Sequence, residues 1–172
     1  MSARKRMTSS YMVHDARLDD IPALTELRWM MCEEQGLAPP GTRDAYETAL
    51  AEFLRETMAG GSCQCWLARD ERGRHVGAAT LWSFPLLPRP GVTRELHGWV
   101  SNLFTRPDHR RRGVAHLLLT HLATAAAARG VTRLLLDPAP GTEPLYAGLG
   151  YEKGLLMEAE IGSPLPDSME RA

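Results

Sequence analysis

The amino-acid sequence predicts a mixed α/β fold, and three features of its pattern indicate this. Apolar residues recur at helical spacing in three long segments, apolar runs of strand length alternate with them, and Gly or Pro separates most of the segments. The predicted order of elements is β-α-α-β-β-β-α-β-α-β, which is typical of mixed α/β domains. Of the 172 residues, 44% are hydrophobic and 24% are charged, as in ordinary soluble globular proteins.

The first half of the chain contains the signals for two helices and three strands. Asp19 or Asp20 can cap the first helix, which has Pro22 in its first turn and stops at Gly36. Thr42 can cap the second helix, which ends before a pair of glycines. The predicted elements are a strand over 11–17, helices over about 20–35 and 42–59, strands over 63–69 and 75–82, and an irregular, proline-rich loop over 84–94.

The second half continues the alternation of strands and helices. Its predicted elements are a strand over 96–105, a helix over 113–129, a strand over 133–137, a short helix over 143–149 and a final strand near 155–161. No repeat or low-complexity linker divides the chain. We therefore expect a single domain over 11–162, with terminal tails over 1–10 and 163–172.

Composition and charge exclude several classes of partner. The formal net charge is −1 and the pI is about 6.6, so we expect no nucleic acid and no anionic membrane as a partner. An odd number of cysteines indicates a reducing compartment, and we expect a cytoplasmic protein. No His or Cys spacing indicates a metal site, and we expect no metal. Cys63 and Cys65 are expected as buried thiols on opposite faces of a strand.

A junction between a strand and a helix carries the first chemical signal. The predicted strand over 99–105 leads into Arg110, Arg111, Arg112 and Gly113, where the next helix begins. The first amides of a helix lack intrahelical acceptors and lie at the positive end of the helix dipole. Glycine lets a ligand approach the backbone, and guanidinium groups add positive charge. The junction therefore predicts a site for a phosphate or pyrophosphate.

Two motifs in this part of the chain resemble those of a known family. Arg110-x-x-Gly113-x-Ala115 resembles the (Gln/Arg)-x-x-Gly-x-(Gly/Ala) acetyl-CoA loop of the GCN5-related N-acetyltransferases, the GNAT family. Residues 145–151, Leu-Tyr-Ala-Gly-Leu-Gly-Tyr, are similar to a later segment of that family in which a tyrosine precedes a Leu-Gly-aromatic ending. The resemblance is sharp over 99–151 and extends in outline over about 11–161.

The resemblance implies a sheet that is splayed open in its middle to receive acetyl-CoA as the co-substrate. The pantetheine arm is then expected to pair with main-chain groups of Leu103, Phe104 and Thr105, where one N–H polarises the acetyl oxygen. The pyrophosphate is expected at the start of the following helix. The residues expected to hold it are Arg110, Arg111, Arg112, Gly113, Val114, Ala115 and His116.

The resemblance also implies which groups transfer protons. Tyr146 has the position of the general acid that protonates the leaving thiol. The acceptor ammonium must lose a proton, and Glu34 or Glu33 at the end of the first helix is the predicted base. Glu95 and His97 are the alternatives for that role.

By resemblance, this protein is expected to be an acetyl-CoA-dependent N-acetyltransferase. It is expected to acetylate the amine of a small molecule, such as an antibiotic, an amino acid or another metabolite, by direct aminolysis of the thioester. The alternatives are a catalytically silent acyl-CoA-binding module and the same fold with another acyl donor or a protein acceptor. Dimers are common in the family, which makes a homodimer one expected assembly. The side chains expected to line a largely apolar acceptor pocket are Trp29, Met30, Met31, Trp82, Phe84 and Leu86.

Overall fold

The computed structural model describes residues 10–154, which fall into two compact units that divide between Pro138 and Ala139. The elements of the first unit are β1 Met12–Asp15, α1 Ile21–Glu34, α2 Arg43–Ala59, β2 Cys63–Arg69, β3 His75–Leu86, β4 Glu95–Thr105, α3 Val114–Ala128 and β5 Val131–Leu135, with 3₁₀ turns at Leu18–Asp20 and Pro107–His109. The second unit contains α4 Glu143–Ala147.

The five strands form one sheet in the order β1-β2-β3-β4-β5. The first three pairs are antiparallel, and β4 and β5 are parallel. A mixed sheet with flanking helices confirms the predicted fold class, and the first nine predicted elements occur in the predicted order. The predicted final strand near 155–161 and the predicted tails, apart from residue 10, lie outside the described residues. A single domain over 11–162 therefore stays a prediction.

Helices cover both faces of the sheet. Buried residues of α1 and α2 pack against Cys63, Cys65, Leu67, Ala78 and Phe104 on one face. On the other face α3 lies so close that a Cβ on Gly77 would be 3.0 Å from Val114 Cγ1 and 3.2 Å from Leu118 Cδ1. Because both faces are covered, the central strands are buried without alternation, as in the continuous run from residue 76 to 81. Among residues 10–154, no helix combines the length and the apolar character that a membrane span needs.

The structure corrects the predicted boundaries of one loop and one strand. Residues 84–86 belong to β3, where Phe84 pairs with His97 and Pro85 with Leu96. Pro85 is tolerated because β2 pairs with β3 only as far as Trp82, and the Ser83 amide makes the last hydrogen bond on that side, to the Ser62 carbonyl. Beyond Ser83, no described strand pairs with this edge of β3. Strand β5 lies at Val131–Leu135, two residues before the predicted range of 133–137.

The expected placement of the two neighbouring cysteines is wrong. Cys63 and Cys65 are both buried, but their sulfur atoms are 3.8 Å apart on the same side of β2. Residues i and i+2 of a strand share a face, and only successive residues point to opposite faces.

Candidate active site

Strand β4 is longer than the strand that pairs with it on one edge. The parallel pairing with β5 begins at Leu96 and ends with Trp99 opposite Leu135, whereas β4 continues to Thr105. Beyond Trp99, this edge of β4 has no strand partner among the described residues. The main-chain donors and acceptors of 100–104 that point to this edge are therefore open to an extended ligand that pairs as an additional strand. This is the opening that a centrally splayed sheet requires.

A β-bulge interrupts the other edge of β4 at the same level. Ala78 pairs with Phe104, but Thr80 pairs with Ser101, so β4 contains one extra residue in this stretch. Asn102 adopts a left-handed conformation with φ 53°, which asparagine tolerates better than most residues. Its Oδ1 is buried and has no hydrogen-bond partner in the described part of the chain. The bulge therefore redirects the chain immediately before 103–105.

The loop between β4 and α3 is anchored at its base. The buried ring of His109 contacts the Tyr11 hydroxyl at 2.9 Å through Nδ1 and the Arg74 guanidinium through Nε2. Arg74 also pairs with Asp108 at 2.9 Å. These contacts hold the 3₁₀ turn at Pro107–His109, which leads directly into the three arginines.

Of the three arginines, Arg110 turns back onto the protein. Its Nε donates to the Thr105 carbonyl at 3.0 Å, its Nη2 donates to the Glu34 carboxylate, and its guanidinium lies 5.8 Å from the centre of the Phe104 ring. The hydrogen bond from Arg110 lowers the pKa of Glu34. Arg110 thus connects the end of β4 to the end of α1. Arg111 and Arg112 are exposed.

The start of α3 presents a series of unpaired amides. Gly113 precedes the helix with φ 86°, and the first helical bond runs from the amide of Leu117 to the Gly113 carbonyl at 3.0 Å. The amides of 114–116 therefore have no intrahelical acceptor. Within residues 10–154, no carbonyl accepts from the amides of 111–113 either. Val114 is buried beneath this turn, Ala115 is half-buried and His116 is exposed, which leaves the amide cluster accessible to an anion.

A cavity of about 230 Å³ lies between α1, α2 and the sheet. Its walls are largely apolar and aromatic, and its floor is formed by strand residues. The lining residues are Leu24 and Arg28 of α1, Tyr46, Leu50, Phe53 and Leu54 of α2, and Cys65, Thr80, Trp82, Ser101 and Asn102 of β2, β3 and β4. Because Asn102 lines the cavity, the cavity reaches the residue immediately before Leu103.

The polar groups of the cavity come mainly from α1, α2 and β4. Arg28 donates to the sulfur of Met31 at 3.6 Å. Burial and the thiol of Cys32 raise the pKa of Tyr46, and a hydrogen bond from Arg28 opposes that increase. Trp82 Nε1 donates to Ser101 Oγ at 3.2 Å. Arg28 is the one charged residue among the described residues that line the cavity.

The residues predicted as the base lie outside the cavity lining. Glu33 and Glu34 are exposed at the end of α1, and Glu34 pairs with Arg110. His97 Nε2 lies 3.1 Å from Glu95 Oε1, and this hydrogen bond lowers the pKa of Glu95. None of these four residues is among the described residues that line the cavity.

Tyr146 belongs to α4 in the second unit. Its side chain is half-buried and lies edge-on to Tyr151, with ring centroids 5.7 Å apart. Burial raises the pKa of both phenols. A raised pKa keeps the Tyr146 hydroxyl protonated at neutral pH, as a general acid requires. Its role as the acid stays a prediction.

The sequence pattern indicated only part of the cavity. Of the six side chains expected there, Trp82 lines it, and the other five do not. The contribution of α2 was visible as helical spacing of Tyr46, Leu50 and Phe53, but that spacing is equally typical of a core-facing helix. The left-handed backbone conformation of Asn102 could not be predicted from the alternation of apolar and polar residues in the strand.

One cluster outside the cavity has the residue types of a metal site. His14, Asp20 and His75 place one ligand atom each within 4.8 Å of one another. Arg69 already supplies a cation there, because its Nη2 lies 3.2 Å from Asp20 and its Nε donates to His75 at 2.7 Å. We assign no metal to this cluster.

Comparison with solved structures supports the fold. An acetyltransferase from Clostridium acetobutylicum, described as predicted and crystallised with acetyl-CoA, is 20% identical with a TM-score of 0.74, over 88% of this chain and 96% of that one. A GCN5-related N-acetyltransferase from Ralstonia eutropha is 24% identical with a TM-score of 0.72, over 89% and 99%. An aminoglycoside acetyltransferase from an uncultured soil sample is 20% identical with a TM-score of 0.67, over 90% and 99%.

Comparison at the level of sequence families is more specific. No curated protein sequence matches this chain significantly. The model of the GNAT acetyltransferase family matches residues 22–151, a range that includes α1, α2, the β4 opening, the amide cluster and Tyr146. This chain belongs to the GNAT acetyltransferase family.

Proposed function

We propose that this protein transfers the acetyl group of acetyl-CoA to the amine of a small molecule. The observation that carries this proposal is the edge of β4 beyond Trp99, which no described strand pairs with and which leads directly to amides at the start of α3 that have no carbonyl partner among residues 10–154. The first feature suits an extended amide-containing arm, and the second suits a pyrophosphate. Both groups occur in coenzyme A in that order, and a cavity for a second substrate lies beside the bulge.

In this proposal the main chain does most of the binding. Leu103, Phe104 and Thr105 pair with the pantetheine arm, and an amide in this stretch donates to the acetyl oxygen, whose negative charge grows as the amine attacks. The amides over 111–116 bind the pyrophosphate, and the exposed Arg111 and Arg112 add charge-assisted contacts. Arg110 holds the loop against the end of β4 through Thr105 and Phe104.

The chemical step is a direct aminolysis. The uncharged amine forms a bond to the acetyl carbon, the bond from that carbon to sulfur breaks, and Tyr146 gives its proton to the leaving thiolate. The nitrogen then loses one proton to become a neutral amide, and that proton restores the Tyr146 phenol. Glu34 and Glu33 are the carboxylates proposed from the sequence to accept the proton of the acceptor ammonium. The lowered pKa and the Arg110 contact of Glu34 favour a second assignment, in which Glu34 positions the loop.

The direct test is turnover with a defined donor. The purified chain is mixed with acetyl-CoA and a library of small amines, and free thiol is followed together with the mass of the acetylated product. We expect thiol release that depends on the amine and yields one acetylated product. Tight acetyl-CoA binding with no acetylation of any amine would overturn the proposal in favour of a silent acyl-CoA-binding module.

The same assay also tests whether the protein uses another acyl donor or a protein acceptor. Replacing acetyl-CoA with propionyl-CoA or a longer acyl-CoA tests the donor, and peptides with free N-termini test a protein acceptor. We expect acetyl-CoA and small amines to give the highest kcat/KM.

The cytoplasmic location and the homodimer stay predictions. A cytoplasmic location agrees with the three free cysteines. Light scattering on the purified protein tests whether it forms a homodimer.

A further inference from the structure

We propose that the acceptor is a small amine that also carries a carboxylate, and that Arg28 binds this carboxylate. The proposal rests on the proposed function and narrows it from amines in general to α-amino acids and similar zwitterions. It comes from the charge of the cavity that lies beside the bulge of β4.

Among residues 10–154, the guanidinium of Arg28 lacks an acidic partner. No carboxylate of the described residues lies within 4.0 Å of it, although seven arginine–carboxylate pairs form in the same part of the chain. Among the described residues it donates to the sulfur of Met31, and it lies near enough to the Tyr46 phenol to lower the pKa of that group. A half-buried guanidinium without a counter-ion is costly to desolvate, and a ligand carboxylate would supply a bidentate partner.

A second polar residue of the cavity lining suits an amine. Asn102 lines it at the bulge, and the buried Oδ1 of Asn102 has no partner among residues 10–154. A carbonyl oxygen of this kind can only accept a hydrogen bond, so it suits an N–H donor of the acceptor. Asn102 immediately precedes 103–105, where the acetyl group is proposed to lie. An acceptor with its carboxylate on Arg28 and its nitrogen on Asn102 therefore presents the nitrogen towards the acyl donor.

The apolar part of the cavity lining determines what else the acceptor carries. Phe53 and Trp82 lie 5.5 Å apart between ring centroids, and Leu24 and Leu50 line the cavity beside them. The cavity volume of about 230 Å³ is below the roughly 300–1,000 Å³ of sites for drug-sized ligands. These features favour an amino acid with an apolar or aromatic side chain.

The same charge pattern disfavours polycationic acceptors. The described lining of the cavity contains no Asp or Glu, and Arg28 would repel a second ammonium group. An aminoglycoside or a polyamine needs several acidic partners in a desolvated site. The likeness to an aminoglycoside acetyltransferase, at 20% identity, is a likeness of fold and does not by itself predict an aminoglycoside as the acceptor.

A matched substrate series tests the proposal. Phenylalanine, phenylalanine amide and phenethylamine share the aromatic ring and a primary amine, and only the first carries a carboxylate. The same comparison is made with leucine, leucine amide and isoamylamine. Acetyl-CoA is kept saturating, and the pH is held at a value where each amine is partly uncharged. Each kcat/KM is then corrected for the fraction of amine that is uncharged. The corrected kcat/KM for the acid should exceed that for its amide at least about tenfold.

Variants of Arg28 assign the effect to its guanidinium. Arg28→Met should remove the preference, so that kcat/KM for the acid and kcat/KM for its amide agree within about twofold in that variant, while Arg28→Lys should keep part of the preference. Arg55, which is exposed on α2 and does not line the cavity, provides the control Arg55→Met, with unchanged preference. Calorimetry of acetyl-CoA binding shows that each variant is folded.

The outcomes separate this inference from the proposed function. Equal efficiency with acids and amides, or a preference for the acid that survives Arg28→Met, would overturn the inference and leave the acetyltransferase proposal intact. Acetylation of no amine at all would overturn both. Binding of N-acetylphenylalanine, followed by calorimetry, gives a readout without turnover, and it should weaken at least about tenfold in Arg28→Met.

Discussion

At the scale of single residues, the Tyr146 hydroxyl is the atom on which the proposed acid chemistry depends. Tyr146→Phe keeps the ring that packs against Tyr151 and removes only the proton donor. A positioned general acid contributes about 10²–10⁴-fold, so kcat should fall by that factor while the affinity for acetyl-CoA changes little. Tyr151→Phe is the matched control and should retain kcat. Near wild-type turnover of Tyr146→Phe in single-turnover experiments would show that Tyr146 only packs.

Arg110 is expected to affect acetyl-CoA binding through the loop that it holds. Arg110→Ala removes its contacts with Thr105, Phe104 and Glu34 and one positive charge beside the amide cluster. We expect acetyl-CoA affinity to fall by about 1–3 kcal/mol, as for a charge-assisted contact. The difference from wild type should shrink at high salt because exposed charges are screened. Calorimetry at low and high salt measures both effects.

Glu34→Gln separates the two roles proposed for Glu34. If Glu34 positions Arg110, this substitution should raise KM for acetyl-CoA and leave the pH dependence of kcat unchanged. If Glu34 is the base, kcat should fall at neutral pH and recover as the solution becomes alkaline enough to deprotonate the amine. Glu33→Gln, at the neighbouring exposed position, gives the comparison.

At the scale of elements, the start of α3 depends on a glycine in a conformation that other residues avoid. Gly113 has φ 86°, and a β-branched residue there would strain the backbone and shift the amides of 111–116. Gly113→Val should weaken acetyl-CoA binding strongly while the protein stays folded. Gly130→Val, at φ 81° beyond the other end of α3, introduces similar strain away from the loop. Equal affinity in the two variants would remove the assignment of the pyrophosphate site.

The contact between α3 and the sheet depends on a second glycine. A Cβ on Gly77 would lie 2.8 Å from the Phe104 carbonyl and 3.0 Å from Val114 Cγ1. Gly77→Ala should therefore destabilise the folded state by about 1–3 kcal/mol through overpacking. Alanine also restricts the unfolded chain, which stabilises the folded state by roughly 0.4–1 kcal/mol. The overpacking term is the larger of the two, so the net effect should be a loss of stability. Urea denaturation measures this loss. Gly154→Ala, with no atom within 4 Å of the added carbon, should be neutral.

At the scale of the whole molecule, several buried or paired groups make stability depend on pH. The hydrogen bond from Arg110 lowers the pKa of Glu34, and that from His97 lowers the pKa of Glu95. Burial raises the pKa of Asp20, but the amide of Arg17 and nearby positive charges lower it by more. Burial also lowers the pKa of His75. In each case the unfolded chain binds protons at a higher pH than the folded chain does.

We therefore expect stability to fall on acidification. A carboxylate whose pKa is lowered by folding stabilises the fold above its unfolded pKa, and this contribution is lost as the pH falls through the folded value. His75 acts in the same direction below about pH 6.5. The urea midpoint should be nearly constant near pH 7, decline below about pH 6.5 and decline more steeply below about pH 4.5. Asp20→Asn should flatten the steepest part, and a midpoint that rises towards pH 4 would contradict the expectation.

The local pattern of the sequence determined the class of the fold and indicated the segment that is proposed to bind the cofactor. Helical spacing and strand-length apolar runs are local properties, so nine elements could be predicted in order from neighbouring residues alone. The Arg110–Gly113 junction was visible for the same reason, because an amide cluster at a helix start needs only a turn, a glycine and the following helix. Two short motifs in order then indicated the family.

Tertiary structure decided which side chains meet. Arg28, Tyr46 and Asn102 lie on α1, α2 and β4 and come together only when both helices pack on one face of the sheet. The pairing of Glu34 with Arg110 joins residues 76 positions apart, and Pro85 entered a strand because β2 stops pairing at Trp82. Such contacts depend on strand register, on a β-bulge and on how the helices pack. These features are determined by the free energy of the whole core, so they cannot be predicted from a short stretch of neighbouring residues.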